Sequence, residues 1–224
     1  MVAWPMLGGG PTYVVSGVRL DLTIALAAVV LGLLGGVLGG AIRWAMTAAR
    51  THAPTGPRAI ATIALTFLAL GFVAIPAPQL LGNGKNVTQL VFDGTVPLGV
   101  AALMTIAKPL ATAACLRSGA IGGILTPAFT TGATLGLTLA LGLPDVIPRA
   151  DAATLALVGA GAVLAVAQRA AFTAVALAIE LAHAPLVALV PVAIAVVVAV
   201  ATARVGESAV RGRQAALRPI GCQA

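Results

Sequence analysis

Long apolar segments alternate with short polar or Gly/Pro-rich connections along this chain. The apolar segments comprise residues 20–47, 59–81, 96–116, 128–143, 152–167, 171–182 and 186–203. Continuous apolar runs of this kind predict helices, and about 20 residues are enough to cross a bilayer. Several of the runs are shorter than that, and short or interrupted apolar helices are typical of transporters. The pattern predicts an all-α, polytopic membrane protein with broken and tilted helices.

The composition supports a membrane protein. Of the 224 residues, 60% are hydrophobic and 8% are charged, whereas a soluble domain carries about 25% charged residues. The net charge of +7 does not indicate a nucleic-acid partner, because the basic residues are scattered singly at segment ends without interleaved aromatics. A cytoplasmic bias of Lys and Arg explains them better. We therefore expect residues 1–19 to form an N-terminal loop, 20–205 the transmembrane domain and 206–224 a basic cytoplasmic tail.

A few polar residues interrupt the apolar segments. Lys108 is a candidate functional residue, since lysine is expensive in a bilayer, with pairing to a carbonyl or snorkelling to the interface as the alternative. Glu180 could serve as a proton relay but is better explained as structural. Arg169 lies about three helical turns from it, so we expect each to have a partner elsewhere. The sequence offers no catalytic set, metal spacing or cofactor motif, which argues against an enzyme.

Glycines recur at four-residue spacing in two of the apolar segments. Gly32, Gly36 and Gly40 lie in the first segment, and Gly132 and Gly136 lie in the segment after residue 127. On a helix this spacing places small residues on one face, where another helix can approach closely. We expect these faces to serve packing.

Residues 119–127, Gly-Ala-Ile-Gly-Gly-Ile-Leu-Thr-Pro, lie between two long apolar segments. The glycines predict that one helix ends and the next begins at membrane depth, with unobstructed backbone N–H groups at Gly122 and Gly123. A helix N-terminus combines unpaired N–H groups with a positive dipole end, which favours an anion. Irregular backbone is tolerated in lipid only where it is buried in protein or lines a cavity. This stretch therefore indicates an anion pathway, with a helix break that serves packing alone as the alternative.

Five stretches, in matching order and spacing, resemble the CLC family of chloride channels and chloride–proton antiporters. They are residues 82–86, 108–112, 117–127, 159–165 and 168–180. The family signature of Ser-Gly, Gly-Gly, an apolar pair, a small residue and Pro corresponds to residues 118–127, while Ala171 stands where the family usually has proline. The resemblance covers about residues 20–205 and only the second of the family's two inverted halves. It implies half of an inverted-repeat transporter fold.

The resemblance also implies which groups would bind the ion. Ile124 and Leu125 would offer their backbone N–H groups to chloride at a helix start. Gly122 and Gly123 would permit close approach, and Pro127 would fit the first helical turn. Chloride is then the transported ion, and no cofactor or metal is implied.

Besides Ala171, the chain departs from the family pattern in three places. It contains no counterpart of the first-half Gly-Ser-Gly-x-Pro and Gly-x-Glu-Gly-Pro stretches, which supply a coordinating serine and a gating glutamate. The position that matches the family's pore tyrosine is Val210, and Tyr13 lies elsewhere.

We therefore expect chloride transport, by a channel or a chloride–proton exchange mechanism, that is incomplete without a missing N-terminal half. The alternative is a CLC-like membrane scaffold that does not transport. Family members are homodimers, so the expected partners are the lipid bilayer and either a second copy or a chain that supplies the missing half. The expected location is the bacterial inner membrane.

Overall fold

The computed structural model describes Tyr13, Val15 and residues 18–216, with side chains described as far as residue 209. The α-helices in this part of the chain are α1 (Leu22–Thr51), α2 (Pro57–Ala74), α3 (Lys85–Phe92), α4 (Leu98–Arg117), α5 (Leu125–Gly142), α6 (Ala152–Gln168), α7 (Ala171–Leu181) and α8 (Leu189–Ala216). Together with three short 3-10 turns they make the described part of the chain all-helical, as predicted. Most of the predicted N-terminal loop and the last eight residues of the predicted tail lie outside the described residues.

Helix α6 forms the centre of the fold. Nearly every residue from Ala152 to Ala167 is buried, and α1, α5, α7 and α8 pack around it. A helix that is apolar on all sides is expected to be buried on all sides. The Gly- and Ala-rich sequence of α6 allows these four neighbours to approach closely.

The glycines of α5 lie where the α6 backbone comes closest. A Cβ atom on Gly136 would lie 2.5 Å from the carbonyl carbon of Leu155, and one on Gly132 would lie 2.7 Å from the Cα atom of Ala160. Real Cβ atoms do not approach other heavy atoms so closely. The predicted packing role of Gly132 and Gly136 is therefore confirmed.

Glycines of α1 allow two different helices, α8 and α6, to approach closely. A Cβ atom on Gly36 would lie 2.6 Å from the carbonyl oxygen of Ala199 in α8, and one on Gly35 would lie 2.9 Å from the Cβ atom of Ala162 in α6. Gly40 is different, because a Cβ atom there would meet nothing within 4 Å. The packing role predicted for the glycines of α1 is thus confirmed for Gly36 and also for Gly32, which lies as close to α8, but it does not extend to Gly40.

Threonine pairs join the helices inside this apolar core. The hydroxyls of Thr88 in α3 and Thr130 in α5 are 2.8 Å apart, and Thr105 in α4 donates to the hydroxyl of Thr134 in α5 at 2.9 Å. Such bonds satisfy polar atoms where water is absent and hold neighbouring helices in register. They fix α3 and α4 against the same face of α5, one helical turn apart.

Tyr13 lies apart from the helices in sequence but is buried among them. Its ring stacks on Phe129 with 5.6 Å between centroids and meets Phe92 edge-on at the same distance. Its backbone N–H donates to the carbonyl of Leu181 at 2.8 Å. Burial raises the pKa of Tyr13, and a hydrogen bond with Thr88 opposes that shift.

Five segments in the described residues are long and apolar enough to cross a membrane, namely Leu22–Thr51, Pro57–Ala74, Leu98–Arg117, Arg149–Gln168 and Leu186–Ala209. Helix α7 has only 11 residues, or about 16 Å, so it reaches about half-way across a hydrocarbon core. Helix α4 continues through Pro109 to Arg117, and the chain then loses helical structure over residues 118–124 before α5 begins. These features confirm the prediction of a membrane protein with short and interrupted helices.

The charged residues near α6 and α7 have separate surroundings. Arg169, at the end of α6, pairs with Glu207 of α8 at 3.1 Å, so the expectation of a partner elsewhere is confirmed for Arg169. Glu180 is exposed near the end of α7. Helix α8 continues without a break to Ala216, past residue 206, where the sequence predicted the start of the tail.

Candidate anion site

The connection from α4 to α5 begins with a tight turn at Gly119. Its φ of +99° is a left-handed conformation that favours glycine, and a Cβ atom there would lie 3.2 Å from the carbonyl oxygen of Pro54. The N–H group of Ala120 returns to the carbonyl of Cys115 at 3.1 Å and completes the end of α4. The chain then runs without regular structure from Ala120 to Ile124.

Helix α5 starts with unpaired donors. Ile124 precedes the helix, and its carbonyl accepts the N–H group of Ala128 at 3.1 Å. The N–H groups of Ile124, Leu125 and Thr126 donate to no described protein group, and Pro127 has no N–H to offer. No side chain caps this end. The start of α5 therefore carries free N–H groups and the positive end of the helix dipole.

Gly122 and Gly123 leave this helix start open. Neither has a φ in the left-handed region, and a Cβ atom on either would meet nothing within 4 Å. Backbone conformation and packing therefore do not explain these two glycines. Their missing side chains expose the backbone in front of α5, as the sequence predicted.

A cavity of about 660 Å³ lies in front of this helix start. The connection and the start of α5 form one wall, α4 forms a second, residues 80–83 form a third and one face of α2 forms the fourth. Of the residues proposed from sequence, Gly122, Gly123, Leu125 and Pro127 line the cavity. Ile124 is not among the lining residues, because its side chain packs against the core.

Lys108 is buried in the wall of the cavity. Its Nζ atom donates to the carbonyls of Leu80 and Gly82, both at 2.8 Å, and to that of Leu81 at 3.3 Å. The carbonyl pairing that the sequence left open is therefore present. No carboxylate among the described residues lines the cavity, so these residues provide no negative charge there to compensate Lys108.

Three hydrogen bonds with other parts of the chain hold the end of α4 and the connection in place. Arg50 of α1 donates to the carbonyl of Gly122 at 3.1 Å, and Thr62 of α2 donates to the carbonyl of Ser118 at 2.8 Å. Arg117 donates to the carbonyl of His52. Sequence reasoning did not identify Arg50 as a residue that contacts the connection. The two partners are 72 residues apart, and no local pattern signals their contact.

The sequence also matches the family model described as voltage gated chloride channel over residues 1–204. The chain belongs to the CLC family. The match covers more than nine-tenths of the chain and includes the helix start, the cavity and Lys108.

Named CLC proteins align with part of this chain. The H⁺/Cl⁻ exchange transporter ClcA of Klebsiella pneumoniae is 32% identical over 113 residues, which are 50% of this chain and 24% of that protein. The putative chloride channel protein ClcB-like of Ralstonia nicotianae is 34% identical over 135 residues, which are 59% of this chain and 30% of that protein. The chain thus spans less than a third of the curated relatives it matches.

The fold is similar to that of a solved CLC protein. The crystal structure of a CLC-type fluoride/proton antiporter superimposes with a TM-score of 0.71 and 24% sequence identity. The match covers 88% of this chain and 48% of the antiporter chain. At this identity the likeness establishes the fold, and about half of the antiporter has no counterpart in the aligned chain.

Proposed function

We propose that this CLC chain contributes to chloride transport across a membrane and that chloride binds at the start of α5. The observation that carries the proposal is the group of N–H donors, unpaired among the described residues, beside a cavity that has a buried lysine and no described carboxylate in its lining. Backbone donors and a helix dipole stabilise an anion without a directly bonded cationic side chain. Binding can then stay weak enough for release, as conduction requires.

Lys108 has a supporting part in this proposal. Its three protons already bond to carbonyls, so it acts on the anion through space. In a cavity of low dielectric constant, such a charge acts more strongly than it would in water. The lysine therefore raises the positive potential at the helix start without forming a tight ion pair.

The proposed transport pathway needs protein beyond this cavity. The chain aligns with 48% of the antiporter chain, and the apolar surface of α2 is almost wholly exposed. We infer that a complementary half, from a second polypeptide or another part of a longer chain, covers the cavity and supplies the remaining ion contacts. The assembly is proposed to be a homodimer in a bacterial inner membrane. The ends of α1 and α4 that carry Arg50 and Arg117 would face the cytoplasm.

Chloride binding to the purified chain tests the site directly. We expect saturable binding by titration calorimetry in detergent, and a loss of most of it in Gly123→Leu, whose side chain would shield the N–H groups. Gly142→Leu at the opposite end of α5 is a matched control, because a Cβ atom there also meets nothing within 4 Å. Equal binding by the two variants would reject this site.

Flux measurements test the need for a complementary half. We expect chain-only liposomes to show no chloride flux, and liposomes that also contain the first half of a CLC relative to show flux. Simultaneous recording of proton movement would separate a channel from an exchanger. Flux at a full transporter rate from the chain alone would overturn the incomplete-half proposal.

A scaffold that does not transport is the second candidate. The residue that favours it is Val210, at the position of the family's pore tyrosine; its side chain lies outside the described residues. A scaffold would bind no chloride, so the calorimetric titration separates the two candidates.

A further inference from the structure

A second polar cavity lies away from the proposed chloride site. It has a volume of about 310 Å³ and lies between α1, α6, the start of α7 and α8. Its charged lining residues are Arg43, Arg169, Arg204 and Glu207, so it carries a net charge of +2. Glu207 accepts from both Arg43 and Arg169. Arg204 pairs with no carboxylate within the described residues, which leaves a cation available to an anionic ligand.

An apolar groove continues from this cavity along the outer surface between α1 and α8. The groove has a volume of about 510 Å³ and is lined largely by Gly36, Gly40, Trp44, Thr202 and Gly206. It shares Arg43, Ala203 and Glu207 with the cavity. Arg43, Arg169 and Arg204, which we call the arginine cluster, therefore lie at one end of the apolar groove.

The glycines of this groove are not explained by helix packing alone. Gly36 is required by the close approach of Ala199, but Cβ atoms on Gly40 and Gly206 would meet nothing within 4 Å. Glycine inside a helix costs about 1 kcal/mol relative to alanine. Among the described residues, no contact offsets that cost at Gly40 or Gly206, and the effect of both glycines is to keep the groove open.

The length of α1 before Arg43 and the exposed Trp44 are consistent with a position of the arginine cluster near a membrane interface. Arg43 is about 31 Å along α1 from its first residue, and Arg204 is about 22 Å along α8. The hydrocarbon core is about 30 Å thick, and the helices that cross it are tilted. Trp44, next to Arg43, is 74% exposed, and tryptophan is enriched at the level of lipid headgroups. The apolar groove extends from this level toward the membrane centre.

We propose that this region binds an anionic phospholipid, with the phosphate at the arginine cluster and one acyl chain in the groove between α1 and α8. Guanidinium groups hold phosphate oxygens through paired hydrogen bonds. Basic pockets between transmembrane helices bind lipid headgroups in this way. The continuity of cation and apolar groove favours a lipid over free phosphate, which would use the cavity alone.

The proposal is tested with the full chain in detergent, by native mass spectrometry during titration with dioleoyl phosphatidylglycerol. One variant, Arg204→Gln, removes the free cation, with Arg58→Gln as the control at another exposed arginine. A second variant, Gly40→Leu, fills the groove, with Gly99→Leu as the control because a Cβ atom at Gly99 also meets nothing within 4 Å. Inorganic phosphate is titrated in a parallel arm.

We expect a saturable lipid adduct that Arg204→Gln weakens about five-fold, as the loss of one interfacial cation implies. Gly40→Leu should weaken it at least as much, while both controls bind like the unaltered chain. Phosphate alone should not compete at millimolar concentration. Competition by phosphate together with unchanged binding in Gly40→Leu would overturn the lipid assignment. The absence of any saturable adduct would overturn the site itself, whatever the outcome of the chloride titration.

Discussion

The two pairs of glycines around α5 have opposite reasons for being glycine. Gly132 and Gly136 lie in the middle of the helix, where any side chain would collide with the α6 backbone. Gly122 and Gly123 lie in front of the same helix, where a side chain would meet nothing within 4 Å. The first pair allows two helices to touch, whereas the second leaves backbone donors accessible. The same residue type therefore supports stability in one region and, in our proposal, ion binding in the other.

The largest effect should follow from the change Gly136→Ala. Its new methyl group would lie 2.5 Å from the carbonyl carbon of Leu155, and backbone cannot move aside as a flexible side chain can. Overpacking of this kind costs about 1–3 kcal/mol, occasionally more. We expect a marked fall in the unfolding temperature in detergent. Gly142→Ala, in open space on the same helix, should differ little from the unaltered chain, and equal stability of the two variants would contradict the packing argument.

Lys108→Met tests a residue with two roles. Lys108 stabilises residues 80–82 through hydrogen bonds, and it places a positive charge at the cavity in front of α5. The change leaves the carbonyls of Leu80, Leu81 and Gly82 without their donor. A buried group that loses its partner costs about 1–3 kcal/mol, and the cavity also loses its cation. We expect lower stability by chemical denaturation and weaker chloride binding by calorimetry.

Lys108→Arg is the comparison that separates these two effects. It keeps the charge but cannot reproduce the compact ammonium geometry. Compared with Lys108→Met, Lys108→Arg should therefore restore chloride affinity more fully than it restores stability. Unaltered chloride affinity in Lys108→Met would remove the lysine from the proposed site.

Much of the fold follows from local sequence patterns, because an apolar helix is encoded by neighbouring residues. The position of α5 and the openness at Gly122 and Gly123 were predicted on this basis. The cavity was not, since its walls come from segments far apart in the chain. Lys108 meets carbonyls 26 to 28 residues away, and Arg50 meets Gly122 across 72 residues. Spacing along one helix carries no information about such contacts.

Gly123→Ala probes the open region with the smallest possible side chain. With no neighbour within 4 Å, the methyl group should change stability by no more than about 0.5 kcal/mol. We expect chloride affinity to fall several-fold, because the methyl group narrows access to the N–H donors of α5. Gly123→Ala is thus expected to change chloride affinity with little change in stability, whereas Gly136→Ala is expected to lower stability. A change in stability without a change in chloride affinity would mean that the two pairs of glycines do not differ in function.

The smallest effect should come from alanine at the open glycine of α1. Gly40 and Gly36 lie one helical turn apart, but only Gly36 contacts α8 closely. Gly40→Ala should raise stability in lipid-free detergent by up to about 1 kcal/mol, because alanine favours the helix and meets no obstacle. Gly36→Ala should lower it, since its methyl group would lie 2.6 Å from the carbonyl oxygen of Ala199. Thermal unfolding of both variants extends the comparison from α5 to α1. Effects of the same sign would show that contact with a neighbouring backbone is not what distinguishes the two kinds of glycine.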